Sequence, residues 1–97
     1  MTIEEIKQKI IPIAKEYGIP KVAIFGSVAK GLVTVNSDID ILIEKGDKIR
    51  DLWDLSDFSD KIEKSLQKSV DVITYTGLKN SVMAGSILAG EIIIYEA

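Results

Sequence analysis

Two aspartates lie close together in one of the most apolar segments of this chain. Asp38 and Asp40 occur in SDIDILIE, where isoleucine and leucine fill most of the other positions. Side chains alternate between the two faces of a β-strand, so a strand here would place both carboxylates on one side. Like charges at this separation repel each other, and both stay ionised only where something positive holds them. The pair therefore indicates a cation site.

A third aspartate, Asp71, lies in another apolar segment, VDVI. It joins the first pair if the two strands are neighbours in the sheet. The chain contains no histidine and no cysteine, so the ligands would all be oxygen atoms, which suit Mg²⁺ or Mn²⁺ rather than Zn²⁺. An EF-hand calcium loop does not fit, because ILIEK follows Asp40 in place of the required glycine and glutamate. The alternative is three solvent-exposed aspartates at strand ends.

A glycine-serine turn precedes the aspartate pair. Gly26 and Ser27 follow the apolar segment KVAIF, and ten residues separate Ser27 from Asp38. Backbone N–H groups and a hydroxyl at the end of a strand can bind phosphate, and Lys30 is the basic residue of the turn. The turn is not a Walker A loop, because Leu-Val follows its second glycine. By itself, the Gly-Ser segment is equally compatible with an ordinary turn that binds no phosphate. Lys30 is equally compatible with a phosphate contact and with an ordinary surface position.

Hydrophobic periodicity predicts the elements that would position these residues. Thr2 and Glu5 fit a capping box, and apolar residues at helical spacing continue to Tyr17, before Gly18 and Pro20. The later elements are strands over 21–25 and 38–43, a helix over about 48–67, a strand over 70–75, a helix over 78–89 and a strand over 91–95. This order predicts one α/β (α+β) domain over residues 1–97, with a mixed sheet of about four strands and about three flanking helices.

The predicted second helix carries two features beyond its apolar stripe. Four aspartates recur every three residues from Asp51 to Asp60, and they form either a solvated face or a contact for a basic partner. Trp53 falls opposite the predicted apolar stripe, which begins at Leu52. It is therefore either an exposed interface anchor or a side chain that turns inward at an irregular helix start.

Composition narrows the classes of function. The 97 residues carry a formal net charge of -3 and no basic run, which argues against a protein that binds nucleic acid mainly through its phosphates. The first residues alternate charge with isoleucine, and no apolar stretch approaches the roughly 18 residues of a membrane span. We therefore expect a cytoplasmic protein without a membrane segment.

The combined spacing resembles the signature of a known superfamily. Gly-Ser, ten residues, Asp-x-Asp and a later strand aspartate are similar to the motif of the polymerase-β-type nucleotidyltransferases. The segments FGSVAKG, SDIDILIE, VDVIT and GEIIIYE, together with the short length, resemble its minimal members, the MNT-type antitoxins. The resemblance extends from the first helix to Glu96. Val28 departs from it, because many members carry a larger polar or basic residue there.

The resemblance implies roles for the residues quoted above. It assigns two Mg²⁺ ions, or Mn²⁺, to three catalytic carboxylates: Asp38, Asp40 and Asp71. It assigns the triphosphate of ATP to the turn, with Gly26, Ser27 and Lys30 as the contacts. It also implies an antitoxin that neutralises a HEPN-domain ribonuclease toxin by transferring AMP from ATP to a toxin tyrosine.

Other functions stay open at this point. A chain of 97 residues builds one core and has little left to grip the base and the acceptor, which favours a second polypeptide or a homodimer that completes the site. The protein could instead be a binding module that occludes its partner with negligible turnover, or it could transfer a nucleotide to a small molecule or a nucleic acid. Three clustered acids favour catalysis, because a pure binder does not need them.

Overall fold

A computed structural model of the protein describes residues 2–29, 38–79, 85 and 90–97, without the side chains of Ser27 and Val28. The helices and strands are, in chain order, α1 (Ile3–Glu16), β1 (Lys21–Phe25), α2 (Gly26–Ala29), β2 (Ile39–Glu44), α3 (Leu52–Leu66), β3 (Val70–Thr74), α4 (Tyr75–Leu78) and β4 (Ile92–Glu96). The predicted α/β fold is confirmed. The helix predicted over 78–89 falls largely outside the described residues.

The four strands form one mixed sheet in the order β3-β2-β1-β4. Strand β1 runs antiparallel to both β2 and β4, whereas β2 and β3 run parallel. The sequence analysis required β2 and β3 to be neighbours if Asp71 was to approach Asp40, and the sheet order makes them so.

The two faces of the sheet are covered differently. Helices α1 and α3 pack on one face, where the alternate residues Ile39, Ile41 and Ile43 are fully buried with Phe58 and Ile62 of α3. The opposite face has a smaller apolar cluster of four buried residues: Ala23, Phe25, Leu42 and Leu78. The predicted alternation of β2 is thus confirmed, and it places Asp40 on the face away from the two long helices.

Side-chain caps set where the helices begin. The Thr2 hydroxyl accepts a 3.1 Å hydrogen bond from the Glu5 N–H, as the capping box predicts. The Asp51 carboxylate accepts a 3.0 Å bond from the Asp54 N–H, so α3 begins at Leu52, later than the predicted start near residue 48. Ahead of that cap, Ile49 turns into the core and is 2% exposed.

The later start of α3 changes the surroundings of two large apolar side chains. Leu52 was predicted to begin the apolar stripe, but this is wrong: as the first residue of α3 it is 80% exposed. Trp53 is 81% exposed, so its side chain does not turn inward, and its role as an interface anchor stays a prediction. Within the described part of the chain, no helix is long and apolar enough to cross a lipid bilayer.

Candidate active site

The sheet brings Asp40 and Asp71 together. They are register partners across the parallel strands β2 and β3, and Phe25 of β1 is the partner of Asp40 on its other side. Asp38 lies just before β2. A 3.0 Å bond from the Ile39 N–H to the Ser69 carbonyl ties the start of β2 to the segment before β3. The three predicted carboxylates therefore lie at the same end of the sheet.

Their surroundings differ. Asp40 is partly buried, whereas Asp38 and Asp71 are exposed. Burial raises the pKa of the Asp40 carboxyl above its ordinary value, and the negative charges of Asp71 and then Asp38 raise this pKa further. Ionisation of Asp40 therefore costs more in the folded chain than in water, and a bound cation would offset both the repulsion and the lost hydration.

Gly26 lies directly against the Asp40 side chain. Its φ angle is +73°, in the left-handed region that favours glycine. A Cβ atom added at Gly26 would lie 3.3 Å from the Asp40 Cγ and would collide with its Oδ2 oxygen. Only glycine therefore allows the turn after β1 to pack on this carboxylate, a steric role that the sequence patterns do not reveal.

The remaining predicted contacts of the turn are only partly visible. The backbone of Ser27 belongs to α2, a four-residue helix that begins where β1 ends. The side chain of Ser27 and the whole of Lys30 lie outside the described residues. The structure thus positions the glycine of the predicted phosphate turn beside Asp40, and the roles of Ser27 and Lys30 stay predictions.

The carboxylates were also tested for their fit to a metal ion. As the side chains lie, no group of three or more acidic residues within the described ranges is arranged to hold one. The carboxylate oxygens are nevertheless the ligands that a hard divalent cation prefers. Asp40 of β2 and Asp71 of β3 are register partners, and Asp38 directly precedes β2. Asp38 and Asp71 are exposed, and a shared cation site would require their side chains to rotate toward Asp40.

Comparison with known proteins identifies the family. The family model described as Polymerase beta, Nucleotidyltransferase matches residues 8–97. The chain belongs to this family. One relative is a protein of Methanocaldococcus jannaschii with the provisional name protein adenylyltransferase. It is 45% identical to this chain over 78 residues, and the alignment covers 80% of this chain and 83% of that protein. This nucleotidyltransferase therefore shares much of its sequence with a protein named for the same class of reaction.

Solved structures share the fold of this nucleotidyltransferase. One, provisionally described as a minimal nucleotidyltransferase, has a TM-score of 0.78 and 26% identity, with 95% of each chain covered. Another belongs to a complex of a tri-AMPylated HEPN toxin from Shewanella oneidensis with an MNT antitoxin, with a TM-score of 0.69 and 15% identity. The superposition covers 97% of this chain and 72% of the matched chain in that complex. At 15% identity, the similarity shows only that the fold is shared.

A surface cavity lies at the other end of the sheet from the carboxylates. Its volume is about 500 Å³, and it is lined by Glu16, Tyr17, Asp47, Lys48 and Arg50. No sequence motif predicts it, because its residues come from the end of α1 and the loop before α3. Three of its charged side chains are already engaged: the Lys48 ammonium donates to the Glu16 backbone carbonyl at 3.2 Å, Arg50 pairs with Asp54, and the Glu16 carboxylate pairs with Lys61.

Proposed function

We propose that this nucleotidyltransferase transfers AMP from ATP to a tyrosine hydroxyl of a HEPN-type toxin and acts as the antitoxin of that pair. The observation that carries the proposal is the pairing of Asp40 with Asp71 beside Gly26. The M. jannaschii relative supports protein adenylylation by its name. The S. oneidensis complex supports the choice of partner, because an AMPylated toxin there accompanies a chain of this fold.

Three carboxylates would hold the divalent ions, Mg²⁺ in the first place: Asp38, Asp40 and Asp71. When bound, these ions lower the pKa of an attacking hydroxyl and offset the negative charge of the leaving pyrophosphate. Asp40 would contribute the least mobile ligand, because it is partly buried and packed against the Gly26 turn. The turn itself would hold the triphosphate through Gly26, Ser27 and Lys30.

The proposed transfer is a single substitution at phosphorus. The tyrosine oxygen forms a bond to the α-phosphorus of ATP, and the bond from that phosphorus to the bridging oxygen of pyrophosphate breaks. The hydroxyl proton passes to a carboxylate. We assign this role to Asp71, because its side chain is exposed whereas that of Asp40 is partly buried. Pyrophosphate then leaves.

Intact mass spectrometry tests the proposed reaction. A purified HEPN-type toxin from the same genome is incubated with this protein, ATP and Mg²⁺, and with the double variant Asp38→Asn, Asp40→Asn. The matched control is Asp47→Asn, which removes an exposed acid at the other end of the sheet. We expect AMP-sized mass steps on the toxin with the wild type and the control, and none with the double variant. An unmodified toxin in a stable complex would instead indicate neutralisation by occlusion.

A further inference from the structure

The start of α3 exposes two large apolar side chains next to each other. Leu52 is 80% exposed and Trp53 is 81% exposed. On a helix, residues four and seven positions after Trp53 lie on its side, and these are Asp57 and Asp60, both exposed. We refer to these four residues, Leu52, Trp53, Asp57 and Asp60, as the Trp53 face.

A groove adjoins the Trp53 face at Leu52. Its volume is about 280 Å³, and three apolar residues line it with four polar or charged ones: Ile49, Leu52 and Leu55, with Lys45, Asp51, Thr74 and Thr76. Single apolar residues on a surface are ordinary, but a contiguous apolar patch with polar residues around it marks an interaction site. Tryptophan is also among the residue types that most often dominate binding energy at interfaces. The start of α3 therefore has the composition of a docking site.

The aspartates of α3 divide into two groups. Asp51 caps the helix, and Asp54 accepts a 3.0 Å bond from the Arg50 guanidinium, so both have a structural role. Among the described residues, Asp57 and Asp60 pair with no basic side chain. Both lie beyond the first turn, where the helix dipole no longer favours a negative charge.

The charge of this segment indicates what would bind it. Residues 51–60 carry four aspartates and no lysine or arginine, and Arg50 offsets the charge of Asp54 alone among them. A second copy of this chain docked through the same face would place acid against acid, because a two-fold contact uses one patch on both subunits. A different protein with a basic rim would gain from the same charges.

We propose that the Trp53 face docks a partner protein whose surface offers an apolar pocket for Trp53 and Leu52, rimmed by lysine or arginine opposite Asp57 and Asp60. The groove includes Thr74, at the end of β3 away from Asp71. A partner bound here leaves the carboxylate end of the sheet open. This inference relies on the proposed function only for the protein used as a probe, a HEPN-type toxin.

Docking away from the reacting atoms has a kinetic signature. It contributes equally to the ground state and the transition state, so its loss raises KM and leaves kcat unchanged. With the purified toxin as the acceptor, we expect Trp53→Ala to weaken binding at least about 30-fold, as for an interface hot spot. The kcat for AMP transfer should stay within about twofold of the wild-type value. Ile93→Ala, which truncates another exposed apolar side chain, should change neither quantity.

The acidic residues are tested separately. The double variant Asp57→Asn, Asp60→Asn should slow association and flatten its dependence on salt, whereas Asp47→Asn should change neither, because it lies outside the Trp53 face. Both Trp53 and the two aspartates are exposed, so these variants are expected to keep the wild-type circular dichroism spectrum.

The outcomes separate the two proposals. Wild-type affinity in Trp53→Ala, with AMP transfer intact, overturns the docking surface and leaves the proposed function standing. Binding that depends on Trp53 without any AMP transfer supports the docking surface and contradicts the proposed function. A dimer of this chain that dissociates in Trp53→Ala, measured by sedimentation, would make a second copy the occupant and overturn the proposal. A wild-type protein that fails to bind the toxin overturns it as well.

Discussion

At the scale of single residues, the charge of Asp40 has two opposite effects. The proposed cation site requires an ionised Asp40, and the same ionisation lowers the stability of the folded chain. Burial, then Asp71, then Asp38 raise its pKa above the ordinary value of 3.8. The folded chain therefore holds this proton more tightly than the unfolded chain. Between the unfolded and folded pKa values stability decreases as pH rises, and the cost persists at neutral pH.

Replacing Asp40 by asparagine should therefore stabilise the metal-free protein at pH 7. A gain of about 0.5 kcal/mol corresponds to a rise of about 2–4 °C in Tm for a domain of this size. The advantage should narrow as the pH falls towards 3.8, where the wild-type carboxyl also becomes protonated. Thermal unfolding followed by circular dichroism at several pH values measures this. A less stable variant at pH 7 would contradict the account of the charge at Asp40.

Gly26 gives a second prediction at this scale. Gly26→Ala should lower stability by about 1–2 kcal/mol, because φ is positive there, and the added methyl group must displace the Asp40 carboxylate. AMP transfer should fall with it. Gly85→Ala is the control, since among the described residues no atom lies within 4 Å of a Cβ added at that position. Equal unfolding curves for both variants, from urea titration, would show that the turn does not pack on Asp40 as described.

At the scale of elements, local signals decided what could be predicted. The bounds of β1 and the cap of α1 follow from short patterns, an apolar run before glycine and a Thr-x-x-Glu box. The predicted start of α3, near residue 48, is too early, because hydrophobic spacing does not show that Asp51 caps the helix through the Asp54 N–H. Strand β3 ends at Thr74 rather than Tyr75, since the Thr74 hydroxyl accepts from the Gly77 N–H and starts α4.

The candidate site divides in the same way. The DxD spacing predicts that Asp38 and Asp40 lie close together, because alternation along a strand is a local property. That Asp71 is the register partner of Asp40 depends on the order of the strands, which no local pattern encodes. The packing of Gly26 on Asp40 likewise requires the antiparallel pairing of β1 with β2. Sequence motifs therefore predict which residues form the candidate site, and the order of the strands decides which of them are neighbours.

The cap of α3 can be tested directly. Asp51→Ala removes the acceptor of the Asp54 N–H bond and should cost about 1 kcal/mol, or about 4–8 °C in Tm. Asp47→Ala, a change to an exposed loop aspartate, should leave the melting temperature within about 1 °C. The comparison is made by thermal unfolding at pH 7. An unchanged Tm in Asp51→Ala would mean that another aspartate caps α3.

At the scale of the whole molecule, the two proposed sites lie at different ends of the sheet. Its order β3-β2-β1-β4 gathers the carboxylates at one end, while the groove beside Leu52 lies at the other end of β3. A partner held at the Trp53 face would not cover the proposed chemistry. On these proposals, one small domain would both bind a protein and modify it, because the docking groove and the reacting groups would lie at different ends of the same sheet.

The central claim is that Asp40 and Asp71 act as one cation site. The test measures the binding of Mn²⁺ to the nucleotide-free protein, with electron paramagnetic resonance to detect the free ion. The wild type is compared with Asp40→Asn, Asp71→Asn and the double variant. Each single variant should weaken Mn²⁺ binding at least about tenfold. The double variant should bind Mn²⁺ only slightly more weakly than either single variant, because the effects of substitutions within one site do not add. Wild-type affinity in Asp71→Asn, or fully additive losses, would contradict a shared site.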